Sequence, residues 1–164
     1  VKTIAFFLAA ALLVPSVAKS AESQPCAFYV QLLRGSDDDA PPAPQAHLIG
    51  TELGQRLHRV FRWKNYWELN RQTVSLTAGK TVRTRMNSRH EVELSLSKPD
   101  ELMVCVYSDG QLVRKRHQAI ETRFYITGGD NDGAESWFIV VRRDKPQDVA
   151  AAQAHDLSFQ PNLP

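Results

Sequence analysis

His90-Glu91-Val92-Glu93-Leu94-Ser95-Leu96-Ser97, followed after Lys98-Pro99-Asp100 by Leu102-Met103-Val104-Cys105-Val106-Tyr107 and Ser108-Asp109-Gly110, decides the fold class of this chain. The first run alternates with a period of two, which puts Val92, Leu94 and Leu96 on one face of a strand and Glu91, Glu93 and Ser95 on the other. One dry face and one wet face is the pattern of an antiparallel sheet that covers a core on one side. The second run is apolar at both parities and reads as a central strand covered on both sides. Between Val106 and Leu112, Asp109-Gly110 tolerates the positive φ of a type I′ turn, which makes the flanking strands a hairpin.

Outward from this hairpin the same chemistry recurs. Strands are expected at Tyr66–Leu76, Thr81–Met86, Gln111–Ala119, Thr122–Thr127 and Ser136–Arg142, with Trp137–Val141 again apolar on both faces. Ala78-Gly79-Lys80 supplies a further turn, and the whole of Tyr66–Arg142 reads as an antiparallel meander. Upstream, Cys26–Arg34 is a first strand stopped by Gly35. The loop Ser36-Asp37-Asp38-Asp39-Ala40-Pro41-Pro42-Ala43-Pro44 follows, in which proline and charge oppose regular hydrogen bonding. One helix is expected over Thr51–Trp63, with Thr51 as N-cap and Ile49, Leu53, Leu57, Val60 and Phe61 as an apolar stripe for packing on the sheet. The fold class is therefore α+β, mainly β: an antiparallel sheet or small sandwich of about seven to eight strands with one covering helix. The opening strand-helix-strand-strand order resembles, at the level of fold alone, the small ring-forming modules of envelope secretion proteins; no motif is shared and no family follows.

The termini read differently. Lys2, an apolar run from Ile4 to Val14 and small residues ending in Ser16-Val17-Ala18 have the three-part form of a secretory signal, and the run is shorter than the about 20 residues a membrane span needs. Residues 1–18 are thus expected to be a signal peptide, 19–25 a linker, 26–146 a single β-rich domain and 147–164 a disordered tail. Pro25 beside Cys26 is unlike a lipidation site. The expected location is periplasmic or extracellular, without a transmembrane segment in the mature chain, and Val1 as a non-standard start points to a bacterium.

Charge and cysteines narrow the function classes. Lys plus Arg total 20 against 18 Asp plus Glu, and a net charge of +2 gives no bulk field for nucleic acid. Export makes nucleic acid a poorer partner still. Cys26 and Cys105 would enter an oxidising compartment, where a bridge between them closes a loop of about 80 residues, worth about 4 to 5 kcal/mol in the loop-entropy model. Two inert thiols on separate strands fit the sequence equally well.

No motif names a reaction. There is no Gly-x-Ser-x-Gly elbow, Ser-x-x-Lys, His-Glu-x-x-His or phosphate-binding glycine loop, and His47, His58, His90, His117 and His155 are scattered singly, as solvated surface histidines are. Gly128-Gly129-Asp130-Asn131-Asp132-Gly133 clusters the oxygens of Asp130, Asn131 and Asp132, a candidate calcium site, although a polar hairpin accounts for the same residues. Arg62-Trp63-Lys64-Asn65-Tyr66-Trp67 alternates basic and aromatic side chains, which makes Trp63, Lys64, Tyr66 and Trp67 candidates for stacking on a glycan or docking a protein, with helix-to-strand packing as the plainer alternative. Arg114 and Arg116, with Lys115 and His117, form a basic stretch suited to an acidic partner or to a solvated edge strand. The expected function is a non-enzymatic binding or assembly module of the cell envelope with no cofactor. The alternatives are a calcium-dependent or carbohydrate-binding domain, or an enzyme of another class.

Overall fold

A computed structural model describes residues 24–98, 100–122, 124–131 and 135–147. Residues 1–23 and 148–164, on which the signal-peptide and most of the tail expectations fall, lie outside it. The described chain runs β1 (Cys26–Ser36), β2 (His47–Leu48), α1 (Thr51–His58), β3 (Asn65–Leu76), β4 (Thr81–Arg85), β5 (His90–Lys98), β6 (Glu101–Ser108), β7 (Gln111–Ala119), β8 (Phe124–Asn131) and β9 (Glu135–Arg142). The strands form two antiparallel sheets, one ordered β2-β3-β1-β9-β8 and the other β4-β5-β6-β7. The fold is α+β and mainly β, a sandwich with one covering helix.

The alternation in β5 does what the pattern requires. Val92, Leu94 and Leu96 point into the space between the sheets, where they meet Leu102, Val104 and Val106 of β6 and Phe28, Val30 and Leu32 of β1. The other face of the five-stranded sheet is also covered, because Leu33, Tyr66, Phe138 and Val140 pack against Leu53 and Leu57 of α1 and against Trp63. Helix, first sheet and second sheet are thus three layers, and the middles of β1 and β9, Val30–Leu33 and Phe138–Val141, are buried on both faces. At the hairpin from β6 to β7, Asp109 and Gly110 both have positive φ, at 50° and 79°.

Four local expectations are corrected. The stretch Tyr66–Arg142 is not one meander: β4 to β7 are, whereas β3, β8 and β9 belong to the sheet of β1, since β1 has partners on both sides in β3 and β9. The helix ends at His58, and Val60 N and Phe61 N both donate to the Leu57 carbonyl, at 3.0 and 2.8 Å, which turns the chain off the axis. Val60 therefore leaves the apolar stripe and is exposed. Thr51 is the first helical residue, Gly50 the N-cap. Gly35 does not stop β1, which continues to Ser36; its missing side chain makes room for Trp63 instead.

Of the two readings of the cysteines, the bridge is the one the structure does not have: Cys26 and Cys105 are both free. Cys26 packs on the inter-sheet core, whereas Cys105 alternates with Val104 and Val106 and so faces the opposite side of β6. A sheet stands between the two sulfurs. There burial pushes the Cys105 thiol above its ordinary pKa, which lowers its reactivity. Alkylation in denaturant without reductant is expected to modify both cysteines of an air-exposed sample; protection of both until reductant is added would show a bridge.

Candidate functional site

Where α1 ends, the chain from Val60 to Trp63 runs across the end of the five-stranded sheet, opposite the β8–β9 hairpin. In that hairpin Gly128 pairs with Phe138 and Gly129 with Trp137. Between these two segments lies a groove of about 410 Å³, walled by Val60, Phe61, Arg62 and Trp63 and floored by Gly128, Gly129, Ser136 and Phe138. The volume falls in the range of small-ligand or side-chain sites.

Each wall has a local cause. A Cβ on Gly128 would stand 2.6 Å from Cδ1 of Phe138 and 2.8 Å from the Trp137 carbonyl oxygen, so the ring can lie flat only over glycine. A Cβ on Gly129 would meet ordinary contacts, the nearest at 3.4 Å, so its absence serves the opening rather than the packing. Phe61 and Phe138 meet with centroids 4.6 Å apart and their rings tilted by 53°, and the Arg62 guanidinium lies 4.6 Å from the centre of the Trp63 ring. Val60 is 74% exposed at the lip.

Trp63, Tyr66 and Trp67, the aromatics of the basic-aromatic stretch, are only 4%, 1% and 7% exposed. Packing is what these side chains do in this structure, and none presents an open stacking face. Lys64 is exposed, but its Nζ lies 2.7 Å from Asp39 Oδ1 and its backbone N–H donates to Asp37. Hydrogen bonds from Lys64 and Asn65 hold the Asp39 carboxyl below its ordinary pKa. The acidic run Asp37–Asp39 is thereby tied to the start of β3. Arg114 and Arg116 are exposed on β7 of the other sheet, and Arg114 reaches toward the groove, its Nη2 lying 3.9 Å from where a Cβ on Gly129 would stand.

For the calcium expectation, Asp132 and the side chains of Asp130 and Asn131 lie outside the described residues. Among the described residues no group of three or more His, Cys, Asp or Glu is placed to hold a metal ion. On the outer face of the four-stranded sheet, Glu91 accepts from Arg85 Nη2 at 2.9 Å and Arg83 Nε at 2.7 Å, bonds that hold its carboxyl below the usual range. Arg83 also sits 3.8 Å from the centre of the Tyr107 ring. His90 is buried against Trp137 rather than solvated.

Sequence reasoning missed one polar cluster. Glu68, 3% exposed, accepts from Arg71 Nε at 2.7 Å and Nη2 at 3.0 Å and from Gln31 Nε2, with His47 Nε2 at 3.9 Å. A cavity of about 290 Å³ opens beside Glu68, lined also by Gln45, His47, Asn70 and Arg71. The irregularity between Leu32 and Leu33 in the β1–β3 register is what puts Glu68 there, because it moves Glu68 to the face opposite Val74 despite their shared parity.

No protein-family model matches this chain, and neither a curated protein nor a solved structure is significantly similar to it. Among the described residues no helix is long and apolar enough to cross a membrane.

Proposed function

We propose that this chain is an exported, non-enzymatic binding or assembly module of the cell envelope, and that it holds an apolar side chain of an envelope protein in the groove beside Trp63. The observation that carries the reading is Val60: an apolar residue, 74% exposed, kept on the lip of a groove that Phe61, Trp63 and Phe138 line, by a helix that stops one turn early. Exposed apolar surface rimmed by a polar group, here Arg62, marks association sites. The leader-like sequence of residues 1–18 supports the envelope as the setting.

Val60→Glu tests this better than Trp63→Ala, since Trp63 is part of the packing. With the full chain made in its own cells, cross-linking is expected to trap one envelope protein, and Val60→Glu to lower the yield about tenfold with an unchanged melting temperature. An undiminished yield would remove the groove from the proposal. Calcium and glycan readings make different predictions: a melting temperature that responds to calcium or chelator, or tryptophan quenching by glycans that Val60→Glu abolishes.

A further inference from the structure

We propose that β7 is a docking edge for an extended, acidic segment of a partner protein, which adds to the four-stranded sheet as its fifth strand. This does not rest on the groove, which is lined by residues 60–63 and by β8 and β9 rather than by β7, although the Arg114 side chain approaches Gly129 at its floor. Among the described residues β7 ends its sheet, with β6 on one side and no strand on the other, and along Gln111–Ala119 every residue except Val113 and Gln118 is exposed. Its outer backbone edge is open to pairing.

The side chains say what kind of strand fits. Arg114 and Arg116 are in register with Val106 and Val104, on one side of the ribbon, while Lys115 is in register with Cys105 on the other. Cations therefore flank the open edge above and below. Among the described residues none of these three has a carboxylate partner, and Arg114 Nη1 donates to the Val113 carbonyl at 2.9 Å. The opposite edge strand contrasts with this, because Arg83 and Arg85 of β4 both bind Glu91. Of the two edge strands of this sheet, β7 is the one whose arginines have no carboxylate partner among the described residues.

That charge selects among occupants. A second copy pairing β7 to β7 antiparallel would bring basic side chains opposite one another, which is destabilising. A strand carrying Asp or Glu at alternate and neighbouring positions would meet a cation on either face. The chain's own acidic run is not free to serve, because Asp37 and Asp39 are bound by Lys64. Backbone bonds would supply affinity and the carboxylates the choice of partner.

The test uses the full chain and a labelled peptide as long as β7 that carries Glu at alternate positions and at one position between them, with Val elsewhere, so that carboxylates lie on both faces. It is expected to bind, to weaken about tenfold when Arg114, Lys115 and Arg116 are all changed to Glu, to weaken further with salt, and to slow amide hydrogen exchange across β7. Should the triple reversal fail to fold, Lys115→Ala with Arg116→Ala gives the same comparison with a smaller loss. A Glu peptide with a central proline should bind much less, having lost a backbone donor and the straight strand. Three results would overturn the proposal: equal binding of a Lys-for-Glu peptide, equal binding of the proline peptide or of heparin without protection of β7 amides, or a concentration-dependent dimer that protects the same amides.

Discussion

Trp63→Ala is expected to destabilise the fold by about 3–5 kcal/mol, the range for truncating a buried large aromatic. It should be seen as a lower urea midpoint with little change in slope. Trp63 is 4% exposed and lies directly on the backbone of β1: a Cβ on Gly35 would stand 2.7 Å from Trp63 Cγ and 3.0 Å from Phe138 Cε2. Neither α1, which has already ended, nor β1, paired on both sides, can move in to fill the void. Gly35→Ala probes the same contact from below and is expected to cost about 1–3 kcal/mol by overpacking. Lys64→Ala removes only an exposed ion pair with Asp39 and should cost less than about 1 kcal/mol. If Trp63→Ala changed stability as little as Lys64→Ala, the aromatic stretch would be a surface after all, and stacking on a partner would again explain it.

The contrast between Trp63 and Val60 shows where sequence reading works. Period-two alternation identified the strands because β5 and its neighbours have one dry face, and Asp109-Gly110 placed the hairpin from β6 to β7 because few residue pairs accept two positive φ values. Which sheet a strand joins is decided by long-range pairing, so β3, β8 and β9 read as part of one meander although they flank and extend β1. The stripe from Ile49 to Phe61 was legible as a core-facing pattern, but helical spacing continues on paper past the point where the chain turns at Leu57. Val60 was therefore assigned to the core and is exposed, while Trp63, Tyr66 and Trp67 alternate with polar residues as a binding surface would and are interior. The groove was invisible for the same reason: it is made where the end of a helix meets two glycines about seventy residues later.

Glu68→Ala should be the other large effect, at about 3 kcal/mol, because breaking a buried charged network costs far more than an exposed ion pair is worth. With the carboxylate gone, Gln31 Nε2 loses its acceptor at a position that is 1% exposed and where Gln31 Oε1 already has no hydrogen-bond partner among the described residues. Arg71 is better placed, since its side chain is 22% exposed and can turn toward water, which keeps the expected loss at the lower end. The paired change Gln31→Leu with Glu68→Leu should recover much of that loss, because an apolar pair leaves no donor or acceptor stranded beneath the sheet's outer face. A double-mutant cycle is then expected to give a coupling of about 1 kcal/mol or more between the two positions. Additive losses would mean that Gln31 and Glu68 do not share a bond, and that the displaced register between Leu32 and Leu33, which brings Glu68 to this face, does not persist in solution.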